Sequence, residues 1–186
     1  MLAPGSDLQS VAVEGPALDD PASGGEDVID LALYYTSSGG SCRIAYRQFK
    51  HSLTAVDKPM TASDLVNTLK GYASRFVSAR DAEKSATTPI RFIFEFETNR
   101  PIALEVIYAI KELKDGLRST TSNYLRRSLP LKDDDLRDFA ARVHLMPRTQ
   151  SLDGERIRLG HDAAAYLPET DRDVPTRLVE MIADKA

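Results

Sequence analysis

The stretch VIDLALYYTSSGGSCRIAYRQFKH, residues 28–51, decides the fold. Its first part is β-branched and aromatic, apolar at both alternating parities, with one carboxylate, Asp30. Such a run predicts a central strand covered on both faces. SSGGS then supplies turn residues, and CRIAYRQFKH is strand-like again, so the two runs predict a hairpin with a loop of several residues.

Upstream, LQSVAVEG predicts a short strand closed by Gly15 and Pro16, and ALDDPASGGED a loop rich in Pro, Gly, Asp and Ser. Downstream the period changes. Leu65, Leu69, Tyr72 and Phe76 recur at helical spacing, and Thr61 with Asp64 fits an N-terminal capping box. IRFIFEFETN alternates strictly, with Phe92, Phe94 and Phe96 on one face, and Pro101 ends it. Val106, Ile107, Ile110, Leu113 and Leu117 form a helical stripe, and DDDLRDFAARV a second helix with an acidic first turn that suits the helix dipole. Residues 148–173 are polar and ambiguous, and PTRLVEMIADK predicts a short closing helix with Pro at its start. The order predicts an α/β fold, a small mixed sheet flanked by helices, with a core over residues 7–102 and a helical C-terminal extension over 103–186.

The chain has 186 residues, 42% of them hydrophobic, enough for one domain with a real core. A single cysteine, Cys42, rules out an internal disulfide and predicts a buried strand-end thiol. The start lacks the basic and apolar regions of a signal peptide, and no apolar run approaches a membrane span, so a soluble, cytoplasmic protein is expected. The net charge of −4 excludes a uniformly basic nucleic-acid coat. Its distribution is uneven: residues 1–40 carry −7, residues 41–80 carry +5, and the rest −2. An acidic stretch followed at once by a basic one reads either as salt-bridged surface or as an acidic metal pocket beside a cationic rim.

Gln48 and Lys50 are two apart in a strand, so their side chains share a face with Ile44 and Tyr46. An amide and an ammonium at the end of a buried face need a partner, and Asp30 on the neighbouring strand is the obvious one. A carboxylate on one strand and Gln-x-Lys on the next can hold a hard divalent cation through the Asp oxygen, the Gln carbonyl and the following main-chain carbonyl. Lys50 would then orient or deprotonate a water, or stabilise charge developing on a phosphate.

A strand with an Asp, a strand with Gln-x-Lys, then a helix and a further strand resembles the core of the restriction-endonuclease-like nucleases with the PD-(D/E)xK signature. More narrowly, VAVEG, EDVIDLALYY, YRQFKHS, TLKGYASRF and FIFEFETNRPI, across residues 8–102, resemble the double-stranded DNA endonuclease module of bacterial anti-phage defence effectors. That resemblance implies a Mg2+- or Mn2+-dependent endonuclease acting on double-stranded DNA. It implies Asp30 as metal-binding acid, Gln48 in place of the usual Glu, Lys50 as catalytic lysine, and Glu14 as an additional acid near the metal. Asp27 is the alternative to Asp30. The cationic rim from Arg43 to Arg80 would take phosphates through Arg47, Lys58, Lys70 and Arg75, with His51 a further contact. A nucleotide-binding sensor or signalling region in the same or a neighbouring chain is the implied partner, and the helical half is a candidate dimerisation segment. The family's fold begins with a helix, whereas this sequence reaches its first strand by about Asp7: either that helix is absent, or the chain is a fragment or starts later than its relatives. An absent helix would leave one sheet face uncovered, at a cost to stability and activity that the later helices could offset.

Each residue also has a structural explanation. Asp30 could pair with Arg43 or Arg47, Lys50 could be a solvated strand end, and Glu14 a turn residue. His144 and His161 are too isolated for a metal set. P-loop, dinucleotide-binding and Gly-x-Ser-x-Gly motifs are missing from the sequence. The alternatives to a DNA nuclease are a non-catalytic docking module on the same fold and a metal-dependent phosphodiesterase acting on RNA or nucleotides.

Overall fold

The computed structural model describes residues 7–147 except Ser38. The described residues form one compact unit, so the helices between residues 104 and 142 belong with the sheet. Residues 148–186, with the predicted closing helix and His161, lie outside the described residues.

Five strands, β1 (Leu8–Val13), β2 (Leu31–Thr36), β3 (Cys42–Lys50), β4 (Ile90–Thr98) and β5 (Val143–Met146), form one mixed sheet in the order β1-β2-β3-β4-β5. β1–β2 and β2–β3 are antiparallel pairs, while β3–β4 and β4–β5 are parallel. The predicted hairpin is thus present. The central strand is β3, with β2 beside it, and Asp30 stands one residue before β2 rather than within it.

A parallel pair needs a crossover, and α1 (Ala62–Ser85) supplies the one from β3 to β4. It starts with the expected capping box: the Thr61 N–H donates to the Asp64 carboxylate at 2.7 Å. That bond holds the Asp64 carboxyl below its usual range. Three short helices, α2 (Leu104–Asp115), α3 (Thr120–Ser128) and α4 (Asp133–Arg142), then lead to β5. The α2 stripe is buried through Val106, Ala109, Ile110 and Leu113. Ile107 is partly exposed, and Leu117 lies exposed beyond the helix end, because Gly116 closes α2 with a left-handed φ of 75°.

The core forms on one sheet face. Ala32, Ile44, Tyr46, Phe92, Phe94 and Phe96 meet Leu65, Leu69, Tyr72 and Phe76 of α1, and Phe139 of α4 packs on Phe94 and Phe76. On the opposite face Arg43, Phe49 and Arg91 are exposed, and no helix covers it among the described residues. No helix of the described residues is long and apolar enough to cross a membrane. Cys42 is half-buried rather than buried, being the first residue of β3.

The loop between β1 and β2 is pressed onto α1. A Cβ at Gly25 would collide with the carbonyl oxygen of Gly71, and a Cβ at Gly71 with the Val28 methyls. Gly25 also has φ 64°, a conformation costly for residues with a Cβ. Gly25→Ala therefore combines backbone strain with overpacking and should cost about 2–5 kcal/mol in urea unfolding. Gly40→Ala, at φ 80° with open space around it, should cost only about 1–2 kcal/mol. Equal losses at the two positions would contradict the close approach of loop and helix.

Candidate functional site

Strand register brings the predicted residues together. Val13 pairs with Leu31 and Leu31 with Arg47; Glu14 and Asp30 lie one residue beyond the ends of β1 and β2, and Gln48, one residue further along β3, pairs with Phe96 of β4, so the three backbones form a row at one end of the sheet. The preceding row on the same face, Ala12, Ala32, Tyr46 and Phe94, lies against the helices. The Glu14 N–H donates to the Asp30 carbonyl at 2.8 Å, and the Asp30 N–H to the Arg47 carbonyl at 2.9 Å. Asp30 Oδ2 accepts the Phe49 N–H at 2.6 Å, which puts the carboxylate beside the main chain between Gln48 and Lys50. Asp30 pairs with neither Arg43 nor Arg47. Glu14 is exposed and has φ 59°, the single non-glycine residue at positive φ among the described residues. Asp27, the alternative acid, is exposed in a single 3-10 turn over Glu26–Val28 and stands outside the row.

α1 runs along this end of β3. Its Asp64 carbonyl accepts from Lys50 Nζ at 3.4 Å, and one turn later the buried Thr68 hydroxyl donates to Gln48 Oε1. A turn further on, the Tyr72 hydroxyl donates to the Glu95 carbonyl at 2.6 Å. Burial holds the Tyr72 phenol protonated far above its ordinary range, and the Asp30 and Glu95 carboxylates push the same way. Thr68 was not anticipated from the sequence, and Tyr72 only as a member of the helical stripe. The signal for Thr68 is a hydroxyl one turn from Asp64 and beside the apolar stripe.

The donors Glu14, Asp30 and Gln48 are all oxygens, which suits Mg2+ or Mn2+ rather than a soft metal. Their fit is lean: no three His, Cys, Asp or Glu residues cluster for a metal among the described residues, so most of the shell would be water and substrate oxygens.

The basic stretch does not form one rim. Arg47 lies on the open face, ion-paired to Glu95 at 2.6 Å and to Glu97 at 3.5 Å. His51 is exposed, its ring 6.4 Å from that of Phe49. Lys58 and Lys70 are exposed. The main-chain carbonyls of Lys58 and Pro59 accept from Arg100, and Asn99 exchanges two hydrogen bonds with the main chain of Ser52, so TNRP pins the loop after β3.

Arg75 overturns its expectation as a phosphate contact, because its side chain is wholly buried. Its Nη2 donates to Asp20 Oδ1 at 2.7 Å and to the Ala22 carbonyl at 2.9 Å, Nη1 donates to the Gly24 carbonyl at 3.1 Å, and the guanidinium sits 4.4 Å from the centre of the Tyr46 ring. Asp20 also accepts from the hydroxyls of Tyr34, at 2.6 Å, and Tyr46, at 2.8 Å. An arginine can be buried only with such partners, and these come from a loop 55 positions upstream.

Arg75→Ala would leave the Asp20 carboxylate buried and unpaired and should destabilise by about 3–5 kcal/mol in chemical unfolding. Burial first, and Asp20 with it, hold the Tyr34 and Tyr46 phenols protonated above their ordinary value of 10. Below that pH both folded and unfolded phenols are protonated and the contribution is complete. Above it the unfolded phenols ionise first and stability is lost. Unfolding free energy should therefore fall from about pH 10 upward, and less steeply in Tyr34→Phe. A flat profile, or a loss below 1 kcal/mol for Arg75→Ala, would contradict this network.

No protein-family model matches the sequence, and no curated protein is significantly similar to it. The functional assignment therefore rests on the residues of this row and their neighbours.

Proposed function

We propose that the protein is a metal-dependent endonuclease of the restriction-endonuclease-like class that hydrolyses DNA phosphodiester bonds. The observation that carries this is the Asp30 carboxylate held by the Phe49 N–H beside the β3 main chain between Gln48 and Lys50, with the Glu14 N–H on the Asp30 carbonyl at the adjoining end of β1. A bound Mg2+ or Mn2+ would polarise the scissile phosphate and lower the pKa of a water.

The chain's own residues have separate tasks. Asp30 offers its carboxylate while Oδ2 is steadied by the Phe49 N–H, and Gln48 offers a carbonyl oriented by Thr68. Lys50 is held loosely by the Asp64 carbonyl at 3.4 Å, so its ammonium can turn to a phosphate oxygen or the attacking water. Lys58 and Lys70 are free to meet the DNA backbone, and nothing along the row reads base edges, so cleavage should be weakly sequence-selective. The resemblance in the sequence supports a role as the effector module of an anti-phage defence protein, with a nucleotide-binding sensor region as its partner.

A non-catalytic docking module is the second reading. It is favoured by the amide at position 48, whose oxygen already has the Thr68 hydroxyl, and by the small number of carboxylates.

Plasmid DNA incubated with Mg2+ or Mn2+ should be nicked and linearised, and a structured RNA cut far more slowly. Lys50→Ala should lose roughly 10²-fold or more in rate while melting close to the wild type. Gln48→Glu adds a ligand charge and should lower the metal concentration needed for half-maximal cleavage. Wild-type protein that neither cuts DNA nor gains thermal stability from either cation would leave the docking module as the better account.

A further inference from the structure

At the far end of β3, on the open face, two arginines stand side by side. Arg43 and Arg91 are register partners on the parallel strands β3 and β4, both exposed, and neither has a carboxylate within ion-pairing distance among the described residues. Like charges directly across a sheet are unfavourable. Four residues along the same two strands and the same face, the equivalent pair is Arg47 with Glu95, which neutralise each other at 2.6 Å. Two cations face each other where the strands enter and an ion pair where they leave, so the entering end is electrostatically incomplete.

The two arginines line a cleft of about 400 Å³ together with Tyr35, Cys42 and Ile90, with the Asp7 residue also on its wall. The Arg43 guanidinium is stacked on Tyr35, 4.0 Å from the ring centre, which holds it without using its hydrogen-bond donors on a protein acceptor. A volume of this order suits a small ligand rather than a single ion. Two guanidinium forks present planar donor sets that match the oxygens of a phosphate.

We propose that this cleft binds a phosphomonoester of nucleotide size, its dianionic phosphate bridging Arg43 and Arg91. The ligand could be a free mononucleotide or the terminal phosphate of a nucleic-acid strand, since both present the same group. The site does not depend on the nuclease assignment. Arg43 and Lys50 are seven residues apart in one strand, about 23 Å at the usual rise, and their parity puts them on opposite faces.

Isothermal titration of the full chain with adenosine 5′-monophosphate, adenosine, and a short oligonucleotide with and without a 5′-phosphate tests this. Adenosine 5′-monophosphate should bind saturably and adenosine should not, or the 5′-phosphorylated oligonucleotide should bind more tightly than the same oligonucleotide without the phosphate, whose own binding belongs to the strand-end row. Whichever binds identifies the source. Arg43→Ala and Arg91→Gln should each weaken the phosphate-dependent binding roughly ten- to hundredfold. The ligand should also slow alkylation of Cys42, the sole cysteine, by iodoacetamide. Arg91 is exposed, so Arg91→Gln should keep the wild-type melting temperature and report on binding even if Arg43→Ala unfolds. Binding independent of the phosphate, binding unaffected by Arg91→Gln, or no saturable binding of either phosphorylated ligand would overturn the proposal.

Discussion

The buried pair of Asp20 and Arg75 holds the loop that leads into β2 against the helix layer. Asp20 belongs to a loop of Pro, Gly, Ser and Asp that has little apolar surface with which to hold itself down. The pair fixes that loop onto α1 through a charge-assisted bond, three further acceptors and the face of Tyr46. Removing the charged groups from water is costly, and the cost is offset only because almost every donor finds a partner. Gly25 and Gly71 allow the close approach that the pair requires. Beyond the held loop, Asp30 stands just before β2 and its carboxylate reaches the Phe49 N–H.

Much of this was legible in the residues. Alternation in β3 placed Gln48 and Lys50 on one face, and α1 does meet both, through Thr68 and Asp64. The hairpin, the capping box of α1 and the phenylalanine face of β4 all follow from local pattern, because each is decided by neighbours a few residues away. Arg75 was not legible in this way. Its helical position next to Phe76 is buried, but a cation there looks solvent-facing until its partner is known, and that partner is 55 residues distant. Two elements also escaped notice. α3 buries only Ser122 and Leu125, too few for a periodic signal, and β5 follows α4 with no turn residue between them.

The uneven charge along the chain has been redistributed by folding. Part of the acidic N-terminal segment is consumed by Arg75, and parts of the basic segment by Glu95, Glu97 and Asp135. Among the described residues, two groups without an ion pair stand at the ends of β3: oxygen donors with a lysine where it ends, and paired arginines where β3 and β4 begin. The first is suited to a hard cation and a phosphodiester, the second to an anion. A single strand, β3, contributes to both, with opposite parities serving opposite faces.

Whether the strand-end row holds a hard cation is most directly read by nuclear magnetic resonance during a titration with Mn2+, whose unpaired electrons broaden nearby signals. The amides of Glu14, Asp30, Gln48 and Phe49 should broaden first, at sub-stoichiometric Mn2+, and Asp30→Asn should abolish the effect. Broadening that starts elsewhere, or is indifferent to Asp30→Asn, would contradict a metal site at this row.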